Sequence, residues 1–368
     1  MIKQPHSKIA LVGDMLGEGG AEKVQARLSF YFEQQGVEVH HIIVRDIVTY
    51  QYAGTLFNMG KLKNKSNGLF NKLKRLLALK KYLKDNQFDY IIDFRVKNNF
   101  IQEYIIANWI YKVPYIMSLH SFETAYYFPK NNFFARIIYK KAFGLVAVSK
   151  LLEEKLRTKY HYKKIITIYN PIVESEIEKG SGSEKPFDFN YILGVGRMAD
   201  NIKQFDHLIK AFKRSDAIAN NFKLVLIGDG AYKKALIDLV KRESLEDMVV
   251  FLPYMDNPFP YIKNAYVMAL TSKNEGFPNV LIESLACGVP LVAYDCESGP
   301  SEIILNQSNG LLVKNQDIDM MAKAISRMIN NTSLYQNCKS NSIDSIQKFN
   351  LDSIGRAWLD YLKITTAS

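Results

Sequence analysis

The sequence predicts an α/β protein built as two Rossmann-like domains, and three observations carry that expectation. At 368 residues the chain exceeds what one hydrophobic core usually organises and suits two domains of ordinary size. Short apolar runs alternate with segments of helical period almost from end to end, which is the pattern of β-α units around parallel sheets. The alternation stops once, in the Gly-, Ser- and charge-rich stretch ESEIEKGSGSEKPFDFN, and then restarts. The expected division is a first domain over 1–175, a linker over 176–189, a second domain over 190–345 and a terminal segment over 346–368. That last segment contains FNLDSIGRAWLDYLKI, whose period predicts a helix packing back on the domains.

In chain order, KIALVG predicts a strand near 8–13, followed by a glycine-rich loop and a helix that begins at about Gly20 or Ala21. Further strands are expected near 39–44, 89–94, 114–119, 144–148 and 165–169, with helices between most of them. The second half repeats the pattern with strands near 190–196, 222–228, 248–252, 265–270 and 290–294. No internal repeat or low-complexity segment interrupts it.

Composition narrows the class. Hydrophobic residues make up 48% and charged residues 23%, as in a folded globular protein. The apolar run before Gly13 is too short for a signal-peptide core, and Glu103 and Lys112 break the longest apolar region before it could span a bilayer. Cys287, Cys296 and Cys338 are odd in number and lack metal-ligand spacing, which points to a reducing compartment, so a cytoplasmic location is expected. The net charge of +11 is unevenly placed. Residues 1–175 hold 27 Lys and Arg against 14 Asp and Glu, and the remainder holds 21 against 23. Such asymmetry marks an anionic partner of the first half: nucleic acid, a membrane surface or a phosphorylated substrate.

The residues that carry chemistry are clearest in ALTSKNEGFPNVLIESLACGVPLVAYD, read as strand, loop, helix, strand. Pro278 suits a first helical turn and Gly288 a helix end, so the helix N-terminus follows directly on Glu275, Gly276 and Phe277. Free backbone N–H groups and the positive end of the dipole favour an anion there, and Gly276 permits close approach. Glu275 and Glu283 would repel a phosphate, so they read as acceptors for sugar hydroxyls. The spacing alone fits two surface glutamates on a crossover helix equally well. A second anion feature is YILGVGRMADNIKQFDHLIKAF, where Gly196, Arg197 and Lys203 follow a strand and precede an amphipathic helix. Gly228 and Gly230 flank Asp229 at another strand-to-helix turn. In the first half, His120 stands just past a strand's C-terminal end, where open α/β sheets bind ligands. A lone histidine there is more often structural.

Taken in order, these segments resemble the retaining GT-B glycosyltransferases of family 4, and the resemblance covers nearly the whole chain. Its specific part is E-x7-E, Glu275 to Glu283, set in NEGFPNVLIESLACGVPLVA and followed by SGPSEIILNQSNGLLV. GGAE at 19–22, His120 and VAVSK at 146–150 also look like the family. The resemblance implies two Rossmann-like domains facing across a cleft. It implies that Glu275 contacts the donor sugar and Glu283 the ribose, while Arg197 and Lys203 hold the diphosphate. It adds His120 on the donor sugar, the Gly19-Gly20 loop beside the phosphates, and Gly196 with Gly276, Phe277, Pro278 and Asn279 around the donor. Three positions depart from the common pattern: Gln204 replaces the usual Gly after the lysine, the Arg197-to-Lys203 spacing is one longer than in many members, and Pro253 stands where glycine is frequent.

The implied reaction moves a hexose or N-acetylhexosamine from a nucleotide diphosphate sugar, with UDP favoured and GDP second, to a glycan or lipid-linked glycan acceptor. No metal or other cofactor is expected, because cationic side chains and helix amides can stabilise the leaving diphosphate. Asp317 and Asp319 form the one Asp-x-Asp pair and read as helix capping. Within enzymes, a GT-B epimerase or an inverting transferase is the rival. Outside them it is a nucleic-acid binder, although no nucleic-acid-binding motif is present and no nucleic-acid partner is expected. The basic stretch 61–85, with Lys72, Lys74, Arg75, Lys80 and Lys81, and the aromatic-rich stretch 126–143 predict peripheral binding to an anionic membrane surface. Leu73, Leu76, Leu77, Leu79 and Leu83 are read as the core face of a helix.

Overall fold

A computed structural model describes residues 7–17, 19–64, 68–97, 99–182 and 185–365. Glu18 of the glycine-rich loop, residues 65–67 of the basic stretch and residues 183–184 of the expected linker lie outside the described residues. The chain forms two units, one of residues 1–171 with 351–368 and one of residues 172–350.

The first unit holds a parallel sheet of β1 (Lys8–Gly13), β2 (Glu38–Ile43), β3 (Thr55–Asn58), β4 (Tyr90–Asp93), β5 (Tyr115–Leu119), β6 (Gly144–Ala147) and β7 (Ile165–Thr167). Their order is β3-β2-β1-β4-β5-β6-β7. Central strands read as continuous apolar runs because both faces are covered. Ile9 and Leu11 of β1 and Ile92 of β4 pack with Val24, Leu28 and Phe32 of the helix Gly20–Gln34. The terminal helix is Leu351–Leu362, shorter than the expected segment, and it belongs to this unit. Ile354, Trp358, Leu359 and Leu362 enter the same core. Gly355 meets Tyr31 so closely that a Cβ would lie 2.2 Å from its ring, so no larger residue fits.

The second unit holds β8 (Tyr191–Val195), β9 (Lys223–Ile227), β10 (Val249–Leu252), β11 (Val267–Leu270), β12 (Leu291–Asp295) and β13 (Gly310–Lys314), ordered β10-β9-β8-β11-β12-β13. Leu224 and Leu226 pack with Leu208 and Phe212 of the helix Phe205–Arg214 and with Met321 and Ile325 of Ile318–Asn330.

Three expectations are corrected. The linker begins as the helix Glu174–Ser181 rather than as open chain. Glu174 and Glu176 favour its N-terminus, Ile177 is buried, and Gly180 lets Phe259 and Asn257 approach. The edge strands β3 and β13 were not expected: β3, TLFN, has only two apolar residues, and β13, GLLVK, has an apolar run of three. The leucines of the helix Leu69–Asn86 do not share one face: Leu79 and Leu83 are buried, whereas Leu73 and Leu77 are 55% and 57% exposed.

The first unit also buries His41, whose Nε2 lies 3.1 Å from the Ala53 carbonyl and whose Nδ1 lies 3.0 Å from Gln25 Nε2. The pattern fits a neutral ring that donates from Nε2 and accepts at Nδ1. Burial pushes its pKa down to about 4. The unfolded chain therefore binds a proton below about pH 6.5 that the folded chain refuses, so stability is full above that value and falls as pH drops towards 4. The expected loss by pH 4.5 is on the order of 2 kcal/mol from this group. Thermal unfolding of wild type and His41→Gln between pH 7 and 4.5 checks it: the variant's midpoint should fall less steeply, and an equal slope would remove His41 as the cause.

Candidate active site

In the second unit the strand order reverses between β8 and β11. At such a reversal the loops leaving the two strands diverge and open a crevice at their carboxyl ends. The loop after β8 carries Gly196, Arg197 and Lys203, and the loop after β11 carries Thr271, Ser272 and Glu275. The backbone ties them together. Thr271 Oγ1 lies 3.0 and 2.9 Å from the carbonyl oxygens of Lys203 and Gln204, and the Lys273 N–H donates to Ile202 O at 2.8 Å.

Across this tie the Lys203 ammonium donates to Glu275 Oε1 at 2.6 Å. The buried Ser272 hydroxyl donates to the same oxygen at 2.5 Å. Both bonds fall on Oε1, and Oε2 has no hydrogen-bond partner among the described residues. The Lys203 stem lies against Gly196, where an added Cβ would stand 3.0 Å from Cε. Gln204 takes a left-handed backbone at φ 45°, which costs a non-glycine residue about 1 kcal/mol. Its amide exchanges hydrogen bonds with that of Gln316, at 2.8 and 2.5 Å, which helps explain how glutamine is tolerated there.

Arg197 joins this group in sequence but not in contact. Its side chain is 71% exposed and pairs with Asp200 at 3.6 Å. Gly228 and Gly230 prove structural. Their φ values are 151° and 148°, and a Cβ would fall 2.0 Å from Gly196 O and 2.2 Å from Met198 C. They let the loop after β9 lie flat against the loop after β8, where Met198 N–H donates to Asp229 O at 2.8 Å.

The helix Asn279–Ala286 begins beside Glu275 in sequence, with Pro278 at its N-cap and no capping side chain. Its first amides and dipole therefore make a positive end. Glu283 lies inside it and is buried. Gly276, Phe277 and Pro278 are buried as well. The Ser298 hydroxyl donates to Gly276 O at 2.8 Å, and a Cβ on Gly299, at φ 102°, would strike Pro278 Cδ at 2.3 Å. This contact is the physical content of SGPSE: only glycine lets the loop after β12 brace the turn that starts the helix. Burial pushes the Cys287 thiol up to about 12, with the Glu283 carboxylate adding to it, so this cysteine stays a neutral thiol. Asp317 accepts from Met320 N–H at 2.9 Å as a helix cap. No cluster of three His, Cys, Asp or Glu side chains suited to a metal occurs among the described residues.

The first unit holds the other expected residues. Gly19 is the N-cap of the helix Gly20–Gln34, where a Cβ would lie 2.0 Å from Glu22 Oε2. His120 Nε2 lies 2.9 Å from Ser118 Oγ, its backbone N–H donates to the Tyr127 hydroxyl, and its Nδ1 is buried without a partner among the described residues. Burial pushes its pKa down to about 3, so the ring is neutral at ordinary pH. Thr271, Ser272 and Ser298 were not singled out from the sequence, since a hydroxyl that serves a neighbour's carbonyl or carboxylate leaves no spacing signal.

Comparison with known proteins follows this geometry. The model of the glycosyl transferases group 1 matches residues 176–345, and that of glycosyltransferase family 4 matches residues 18–176. A Campylobacter jejuni protein, GalNAc-alpha-(1->4)-GalNAc-alpha-(1->3)-diNAcBac-PP-undecaprenol alpha-1,4-N-acetyl-D-galactosaminyltransferase, is 30% identical over 292 residues, covering 78% of each chain. The chain is a group 1 glycosyltransferase. A second transferase from that organism, N-acetylgalactosamine-N,N'-diacetylbacillosaminyl-diphospho-undecaprenol 4-alpha-N-acetylgalactosaminyltransferase, is 29% identical over 360 residues, 94% of this chain and 97% of its own. Among solved structures, Anabaena HepE in complex with UDP-glucose superposes with a TM-score of 0.76 at 19% identity, covering 98% of this chain and 100% of that one. That likeness speaks for the fold, which is GT-B.

The brace at Gly299 gives this glycosyltransferase a stability test. Gly299→Ala places a Cβ against a rigid proline ring at a left-handed backbone position, and should destabilise the second unit by about 1–3 kcal/mol. Denaturant unfolding measures it, and an unchanged midpoint would mean that the loop relaxes freely.

Proposed function

We propose that the enzyme transfers a hexose or N-acetylhexosamine from a UDP-sugar to a lipid-linked glycan, retaining the anomeric configuration and using no metal. The observation that carries this reading is the Lys203–Glu275 pair in the β8/β11 crevice, next in sequence to an uncapped helix N-terminus. A nucleotide sugar brings sugar hydroxyls, a diphosphate and ribose hydroxyls. Glu275 Oε2 suits the first, Lys203 with Arg197 and the helix N-terminus suits the second, and Glu283 suits the third. Gly196 and the Gly276–Asn279 turn supply backbone that a donor can approach.

In the reaction the bond from the anomeric carbon to the diphosphate oxygen breaks. The acceptor oxygen bonds to that carbon from the same face, and the acceptor's proton passes to the departing diphosphate oxygen. Negative charge grows on the leaving group, and Lys203 answers it: one of its three N–H groups holds Glu275, and two remain to donate. His120 is neutral, so no acid catalysis is assigned to it. The HepE complex with UDP-glucose supports a uridine nucleotide, and the undecaprenol-linked substrates named for the Campylobacter enzymes support a lipid-linked acceptor. Calorimetry and turnover test the donor site together. Glu283→Ala should weaken UDP binding by about 1–3 kcal/mol, and Lys203→Ala should lower turnover about 10²–10³-fold. Unchanged UDP affinity in folded Glu283→Ala, or Lys203→Ala with normal turnover and raised KM alone, would overturn those roles.

A lipid-linked acceptor requires contact with a membrane, and we place the enzyme on its cytoplasmic face. No helix among the described residues is long and apolar enough to cross. The helix Leu69–Asn86 instead turns Leu69, Phe70, Leu73 and Leu77 outward, with Phe70 92% exposed, among Lys74, Lys80 and Lys81. Ile101, Trp109, Phe133 and Phe134 are also exposed in this unit. Lys81 pairs with Asp85 at 2.5 Å, whereas Lys74 and Lys80 have no carboxylate partner among the described residues. Apolar side chains amid such lysines match the interface of an anionic bilayer. In liposome flotation the protein should bind vesicles containing anionic lipid, release with salt, and bind less when Lys74, Lys80 and Phe70 are replaced by Gln, Gln and Ser. Equal flotation on neutral vesicles would contradict this.

A further inference from the structure

Where glycine is usual after the lysine this chain has Gln204, and the backbone there is still the one that favours glycine, at φ 45°. Gln204 is also the N-cap of the helix Phe205–Arg214, yet its side chain caps nothing. Its amide is spent elsewhere. It reaches Gln316, 112 residues on, in the loop between β13 and the helix Ile318–Asn330. Gln204 Nε2 donates to Gln316 Oε1 at 2.8 Å, and Gln316 Nε2 donates back to Gln204 Oε1 at 2.5 Å. The remaining amide hydrogens are committed too, one towards His207 Nε2 at 3.4 Å and one to Asn315 Oδ1 at 3.0 Å. Neither amide has a donor left for a ligand, so the pair acts through what it holds.

What it holds is the peptide that follows Lys203. The Thr271 hydroxyl reaches the carbonyls of both Lys203 and Gln204, but it has one proton to share between them and does not fix both. A left-handed backbone is unfavourable for any residue with a Cβ. Two hydrogen bonds to Gln316 are of the order that offsets this penalty. Phe205 and Leu208 anchor the following helix in the core, so any relaxation at Gln204 is taken up on the Lys203 side. We propose that Gln316 is a positioning residue for Lys203: its amide keeps Gln204 left-handed and thereby holds the Lys203 ammonium at Glu275 and at the diphosphate. The hold on Glu275 stands on the geometry, whereas the diphosphate rests on the donor reading above.

Calorimetry with UDP and the full chain tests it. Gln316→Ala should bind UDP about tenfold more weakly, as for loss of a hydrogen bond to a charged group. Gln316 is exposed, so its truncation opens no core cavity. Two double variants separate positioning from general loosening. Lys203→Ala with Gln316→Ala should bind no more weakly than Lys203→Ala alone, because both act on one contact. Gln204→Gly with Gln316→Ala should regain most of the lost affinity, because glycine takes the left-handed backbone without help. Where Lys203→Ala weakens binding, the proposal is overturned by wild-type affinity in Gln316→Ala, by additive losses with Lys203→Ala, or by no recovery with Gln204→Gly. If Lys203→Ala instead binds UDP as wild type does, the donor reading fails, and a crystal structure of Gln316→Ala decides the positioning role. The Lys203–Glu275 pair should then be broken, and a pair still at 2.6 Å overturns the proposal.

Discussion

A parallel sheet that reverses its strand order must leave a crevice at the reversal, because right-handed crossovers send the following helices to opposite faces and their loops part. Both units obey this constraint, at β8/β11 and at β1/β4. Gly196, Lys203 and Glu275 stand at the first reversal, and Asp93 and Arg95 stand at the second. The chemistry is thus placed by topology before any single side chain is chosen. Helix ends and loops then decide what each crevice can hold.

The two crevices solve the charge problem differently. At β8/β11 one cation and one carboxylate share a partly exposed bond, with the lysine's other N–H groups and the second carboxylate oxygen uncommitted, so an incoming ligand can engage both without breaking the pair. At β1/β4 a full set of opposite charges is buried. Desolvation opposes such a set strongly enough that it is weak evidence of stability. Its more direct consequence is geometric: Asp93 receives Arg95, Lys97 and the Tyr111 hydroxyl, and so fixes the chain that leaves β4.

Much of this was legible in the sequence, for physical reasons. Buried parallel strands are apolar throughout and announce themselves, as KIALVG, YIMSL and LVAYD do. Proline at a helix entry with glycine just before it is a local signal, which made Gly276 and Pro278 visible. The edge strand β3 did not show, being four residues and only partly buried, and β13 was missed although GLLVK is largely buried. The linker misled because Gly and Ser near 180–183 resembled open chain, although Gly180 serves close packing on Phe259. The leucines of the helix Leu69–Asn86 misled because period alone cannot tell an inward face from an outward one. Ser272 and Thr271 were invisible because their work is to hold Glu275 and the Lys203 backbone, which depends on loops distant in sequence. Asp93, Arg95 and Lys97 drew no reading from the sequence, and Glu103 drew one only as a charge that interrupts an apolar region, because what joins them is a burial that the fold creates.

The most direct measurement of the central claim is a crystal structure of the enzyme with UDP. A diphosphate oxygen is expected within about 3 Å of Lys203 Nζ, near the N-terminus of the helix Asn279–Ala286, with the ribose hydroxyls on Glu283. A nucleotide bound away from the β8/β11 crevice, or one that leaves Lys203 and Glu283 without a contact, would contradict it.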